Sequence, residues 1–259
     1  MKAIASRDNP SFKALRQLAK DTRAQAAQGR TVLDGLHLVA EYRARVGLPE
    51  LLVVSASGAE HPEVQALLAQ HAGVEVLSLR DALFGEISGV ATPVGILAQI
   101  VIPPPATAPL TASCVLLEGI QDAGNVGTIM RTAAAAGVRD IVLGPGCAGT
   151  WTPRVLRAAQ GAHFGLAWRE TDDLVAVVRD YAGLSVATLA NGGTALYDLK
   201  LGGPVAWIFG NEGAGVSPAL AAAAKARATI PMASGSESLN VAAAAAVCLF
   251  EAARQRKSA

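Results

Sequence analysis

Apolar positions along the chain form two alternating series. After Asn9-Pro10, the residues Phe12, Leu15, Leu18 and Ala19 recur at helical spacing. A helix is therefore expected there, capped by the asparagine, opened by the proline and stopped at Gly29. Short apolar runs follow at residues 31–33, 51–55, 74–77 and 94–100, with helical stretches at 36–46, 62–71 and 79–87 between them. This alternation predicts a small α/β domain of about a hundred residues.

Residues 102–113, IPPPATAPLTAS, interrupt the pattern. Three consecutive prolines fix φ and remove three N–H donors, so neither a helix nor a central strand continues through them. The expected layout is a first domain over 1–102, a proline-rich linker over 103–113 and a second domain over 114–259. Past the break, strand-like runs at 114–117, 140–143, 184–189, 205–209 and 228–230 alternate with helical runs at 126–136, 154–160, 173–181, 218–225 and 239–254. Continuous apolar strands separated by helices indicate a parallel sheet with helices on both faces. Such sheets bind ligands at the carboxyl ends of their strands.

Composition narrows the class. A hydrophobic share of 51% suffices for two cores, and the net charge of +1 points to no partner. Charge distribution says more. Residues 1–30 carry Lys2, Arg7, Lys13, Arg16, Lys20, Arg23 and Arg30 against Asp8 and Asp21. Such a patch suits phosphate contact, or equally a solvated helix face. Cys114, Cys147 and Cys248 are sparse and unpaired in spacing, as expected of a reducing compartment without a metal site. The first residues hold no apolar core of a signal peptide, and residues 241–250 are too short to span a bilayer. A cytoplasmic protein without membrane contact is expected.

Three polar loops follow strands: 118–127, running into a helix that carries Arg131; 210–215; and 230–240. Glycines let a backbone approach a ligand closely, and helix N-termini offer free N–H groups. Each alone is also ordinary turn and capping chemistry. Arg131 sits nearly two turns into its helix, where a cation needs a partner.

Taken in order, the three loops resemble the motifs of the SpoU branch of the SPOUT RNA methyltransferases. Glu118-Gly-Ile-Gln-Asp, Asn125-Val-Gly127, Arg131 and Ala133 are similar to the first motif. Ile208 to Gly213 with Gly215 is similar to the second, and Ile230-Pro-Met232 with Ser238-Leu-Asn-Val241 to the third. Pro153, Arg157, Gly161, Ala162 and Phe164 match the family's middle region. Ala123 and Ala159 depart from it, where proline and serine are common. Upstream, Asn9-Pro10, Lys13, Leu15 and Thr92-Pro-Val-Gly95 resemble the substrate-binding domain of ribosomal-RNA members.

The resemblance implies an α/β fold whose C-terminal parallel sheet carries a trefoil knot, preceded by a small α/β RNA-binding domain. It also implies a homodimer. Its activity would be 2′-O-methylation of ribose in RNA from S-adenosylmethionine, with ribosomal RNA expected and transfer RNA as the alternative. Cofactor contacts are then expected at Asn191, Gly210, Ile230 and Leu239, with Leu189, Phe209 and Met232 completing an apolar wall. Arg131 would bind RNA phosphate, held by Asn125 and Glu212, while Ser238 and Asn240 contact ribose or phosphate. A guanidinium titrating above about pH 12 is a poor base, so the hydroxyl proton goes either to the phosphate or to a transiently neutral arginine. A non-catalytic RNA-binding factor on the same fold is the alternative from another class.

One motif points elsewhere. Gly144-Pro-Gly146-Cys-Ala-Gly149 is formally the G-x-G-x-x-G of dinucleotide sites. Pro145 removes an N–H from the cradle, no helix opens directly at Gly149, and the loop follows the second strand rather than the first. His37, His61, His71 and His163 lack metal spacing, and no G-x-S-x-G occurs.

Overall fold

A computed structural model describes residues 1–234 and 238–258. The chain forms two compact units, Met1–Pro104 with Gly149–Phe164, and Pro105–Ala148 with Gly165–Ala259.

The first unit runs β1 (Lys2–Ile4), α1 (Pro10–Lys20), α2 (Thr22–Gln28), β2 (Arg30–Asp34), α3 (Leu36–Arg45), β3 (Leu51–Ser55), α4 (Pro62–Ala69), β4 (Glu75–Leu79), α5 (Asp81–Ile87) and β5 (Ile96–Val101). Its sheet has the order β1-β4-β3-β5-β2, with β5 antiparallel to both neighbours. The Asn9 side chain accepts from the Ser11 N–H, as a capping asparagine should. The helix expected to reach Gly29 is broken at Asp21. That residue is extended, and its carboxylate accepts from the Arg23 and Ala24 N–H groups, starting α2 afresh. Gly29 then ends α2 at φ +60.

The second unit starts with β6 (Cys114–Leu117), α6 (Ala123–Ala135) and β7 (Asp140–Leu143). The chain next contributes α7 (Pro153–Ala159) to the first unit. There the Thr31 hydroxyl donates to the Trp151 carbonyl at 2.7 Å, and Arg157 lies 3.8 Å from the buried Asp34 carboxylate. It returns as β8 (Ala167–Glu170), α8 (Leu174–Asp180), β9 (Leu184–Thr188), β10 (Thr194–Ala195), β11 (Val205–Phe209), α9 (Pro218–Ala223), β12 (Ala226–Thr229) and α10 (Val241–Ser258). The seven strands are parallel, in the order β10-β12-β9-β11-β6-β7-β8. β6 and β11 are buried along their whole length, which explains their uninterrupted apolar runs. Parallel strands put the loops after β6, β9, β11 and β12 at one edge of the sheet. Among the described residues no helix is long and apolar enough to cross a membrane.

In the first unit His163 is buried against Trp151, with ring centroids 5.1 Å apart. Its Nε2 donates to the Thr150 carbonyl at 2.8 Å, and Nδ1 has no hydrogen-bond partner among the described residues. Burial outweighs the Thr150 hydrogen bond and lowers its pKa from 6.5 to about 4. The unfolded chain therefore takes up a proton between pH 6.5 and 4 that the folded chain refuses. His163 contributes full stability above pH 6.5 and loses it as pH falls towards 4, at up to about 1.4 kcal/mol per pH unit. Denaturant unfolding across that range should show the slope in the wild type and a shallower one in His163→Leu. Equal slopes would rule this linkage out.

Candidate active site

Glu212, on the loop after β11, reaches the loop after β6. Its carboxylate accepts from the N–H groups of Gln121 (3.3 Å) and Asp122 (3.2 Å) and from the Asn125 amide (3.0 Å). Burial raises the Glu212 carboxyl, but those hydrogen bonds and its own backbone N–H together pull it below the ordinary range. Glu212 is thus an ionised anchor whose lone pairs are largely occupied.

The line of hydrogen bonds continues. Asn125 accepts from the Asn240 amide at 3.0 Å, and the Asn240 oxygen accepts from the N–H groups of Ala242 and Ala243 at the start of α10. Glu212, Asn125 and Asn240, far apart in sequence, become one chain across three loops. Asn125 is also fixed from below, since its backbone N–H meets the Asp122 cap of α6 at 3.0 Å.

Arg131 is placed differently from expectation. Asn125 and Glu212 bond each other and do not hold it; Arg131 is exposed and has no hydrogen-bond or ion-pair partner among the described residues. The helix explains this: six residues advance about 9 Å and turn the side chain about 120° away from Asn125. Ser238 is exposed beside the cavity described next.

That cavity, of about 490 Å³, opens where the loops after β9, β11 and β12 meet the start of α10. Leu189, Gly210, Ile230, Met232 and Leu239 line it, as do Glu212, Ser238 and Asn240. Phe209 does not: it is fully buried inside β11, stacked on Trp207. Asn191 is exposed and also lies outside the lining. Ala190, Ala228 and Ala244 line it without polar or glycine signals that would have marked them in sequence, and Thr188, which ends an otherwise apolar strand, lines it too. The middle of the third loop, residues 235–237, lies outside the described residues.

The G-x-G-x-x-G loop takes no part in the cavity. It packs on the loop after β6 instead, the Ala148 N–H donating to the Ile120 carbonyl at 2.8 Å, and α7 opens only at Pro153. The basic N-terminal stretch is partly neutralised. Arg7 and Arg16 meet Glu86, Lys13 meets Asp8 and Arg30 meets Glu50, leaving Lys2, Lys20 and Arg23 without partners among the described residues. No group of three or more His, Cys, Asp or Glu among the described residues could hold a metal ion.

Residues 112–250 match the model of the SpoU rRNA methylase family. The chain belongs to that family. Residues 9–98 match an MRM3-like substrate binding domain. The 23S rRNA (guanosine(2553)-2′-O)-methyltransferase RlmP of Bacillus subtilis (strain 168) is 32% identical, over 96% of this chain and 98% of its own. A crystal structure of an RNA 2′-O ribose methyltransferase superposes with a TM-score of 0.85 at 27% identity, covering 98% of this chain and 99% of that one. An AdoMet-bound rRNA methyltransferase from Sinorhizobium meliloti gives a TM-score of 0.83 at 28% identity, covering 98% and 97%.

Proposed function

We propose that the protein methylates a ribose 2′-hydroxyl of ribosomal RNA, using S-adenosylmethionine. The single observation that carries this reading is a cavity at the loop edge of the sheet, with the Glu212–Asn125–Asn240 chain linking the loops around it; Arg131, unpartnered among the described residues, lies further along α6. The residues fit the cofactor. Gly210 and Gly215 leave bare backbone at the wall, Leu189, Ile230, Met232 and Leu239 supply apolar surface, and the volume suits a ligand of that size.

S-Adenosylmethionine brings a methyl group on a positively charged sulfur. The chain's own residues align and assist. Arg131, with nothing to bind in the protein, grips an RNA phosphate beside the reacting ribose and lowers the pKa of the hydroxyl. The departing proton goes to that phosphate or to a transiently neutral Arg131 rather than to Glu212, whose carboxylate is already engaged by donors. Ser238 and Asn240 contact the ribose from the third loop. Much of the acceleration comes from alignment, which supplies up to roughly 7–11 kcal/mol in well-ordered cases.

Ribosomal RNA is favoured over transfer RNA because the Bacillus relative, named for 23S rRNA, matches along both units. The first unit holds the RNA, with residues 103–113 as the connection to the methyltransferase domain. The chain acts as a cytoplasmic homodimer, supported by the half-exposed Phe250 on α10, and its last segment threads the sheet as a trefoil knot.

Calorimetry should show S-adenosylmethionine and S-adenosylhomocysteine binding, and neither NAD nor NADP. Labelled methyl should pass to ribosomal RNA and stay in 2′-O-methyl nucleosides after digestion. Cofactor binding without transfer to any RNA would instead mark a binding factor.

A further inference from the structure

We propose that Asn211 is a positioning residue for methyl transfer, holding the loop after β6 in register with the loop after β11 through the Gly119 carbonyl. The inference rests on the methyl-transfer reading above. The two ends of the Asn211 amide do different work. Its oxygen accepts from the N–H groups of Gly213 (2.9 Å) and Ala214 (3.0 Å), shaping the turn that lines the cavity. Its nitrogen donates to the Gly119 carbonyl at 2.7 Å, across to the other loop. The orientation is fixed, since two donors face one end and an acceptor faces the other.

The junction is reciprocal. Glu118 accepts from the Ser217 N–H at 2.7 Å, so each loop lends a side chain to the other's backbone. Gly119 sits at φ +64, a conformation that suits glycine and sets the direction of the carbonyl Asn211 holds. Three residues on, Asp122 caps α6 and fixes Asn125, and the same helix carries Arg131. A shift at Gly119 is therefore passed along α6 to Arg131, while the Asn211 oxygen keeps its turn at the cavity in place.

Two substitutions separate the ends. Asn211→Asp keeps the accepting oxygen for Gly213 and Ala214 but turns a second acceptor on the Gly119 carbonyl. Asn211→Ser keeps an accepting oxygen without a charge and is too short to reach Gly119. Both should bind S-adenosylhomocysteine within about threefold of wild type yet lose about 10²-fold in single-turnover methyl transfer, the order expected for misplacement by an ångström. The deficit of Asn211→Asp should shrink as pH falls through the new carboxyl's titration, because the protonated group donates to Gly119 again. The deficit of Asn211→Ser should not change with pH. Hydrogen exchange at residues 119–125 should quicken in both, a readout independent of activity.

A side chain that only shapes its own turn would give near-normal turnover and exchange in Asn211→Asp, since aspartate serves such turns as well as asparagine. That result overturns the assignment. So does loss of S-adenosylhomocysteine binding in both variants, which would make the place of Asn211 in the cavity lining, rather than its hold on Gly119, its main role. Asn211→Ser decides alone if the charged variant does not fold. A wild type that transfers no methyl counts against the proposed function, and the exchange comparison still tests Asn211.

Discussion

Arg131→Ala is expected to lose on the order of 10²–10³-fold in methyl transfer while affinity for S-adenosylhomocysteine stays within about twofold. Arg131 lies outside the cavity lining and has no partner among the described residues, so its removal leaves neither a disrupted cavity nor an orphaned carboxylate. On the role proposed for it, what is removed is an interaction with RNA, strongest as negative charge gathers at the attacking oxygen. Removing such an interaction lowers the rate without a matching loss of ground-state binding. Arg131→Lys should restore little, because a point charge does not reproduce the planar fork that grips phosphate. The assay is single-turnover transfer from labelled cofactor to deproteinised ribosomal RNA and to ribosomal particles, with circular dichroism as the control for folding. Near-normal turnover in Arg131→Ala would refute the phosphate-gripping role and leave the family assignment intact.

The strands and helices that the sequence makes legible are those with buried faces. β6 and β11 announce themselves because both faces are covered. The strands left unread, β1, β8 and β10, all belong to sheet edges, where burial is partial and polar residues intrude. The break at Asp21 is a local contest between one carboxylate and helix continuation, which apolar periodicity does not register. The segment Gly149–Phe164 is harder still. Its apolar residues look like those around them, and only the fold assigns them to the first unit, where Trp151 and Leu156 are buried. Cutting the chain after residue 102 would strip that segment of β2 and Asp34, so the remainder should not keep it folded. At the site, the order of the three loops was readable from residue types. Their hydrogen bonds were not, because Asn125 and Asn240 are 115 positions apart and meet only once the sheet exists.

Gly210→Ala should be the most damaging single methyl group in the second unit. The obstacle is steric: a Cβ at Gly210 would overlap the carbonyl of Gly215 and the nitrogen of Val216, all backbone atoms. Those atoms have little room to retreat. The Gly215 N–H is tied to the Asn211 carbonyl at 2.8 Å, and the Ser217 N–H to Glu118 at 2.7 Å. Overpacking of this kind costs about 1–3 kcal/mol or more. Gly210 and Gly215 both line the cavity, so the forced separation of their strands of chain distorts the wall proposed to meet the cofactor. S-Adenosylhomocysteine affinity should fall at least about 100-fold, the equivalent of roughly 2.8 kcal/mol, and thermal unfolding should move several degrees lower. Gly203→Ala is the matched control. A Cβ there meets nothing within 4 Å, so stability should stay within about 0.5 kcal/mol and binding should not change. Wild-type cofactor affinity in Gly210→Ala would mean that the loop after β11 yields without cost, and that its glycine is not what shapes the cavity.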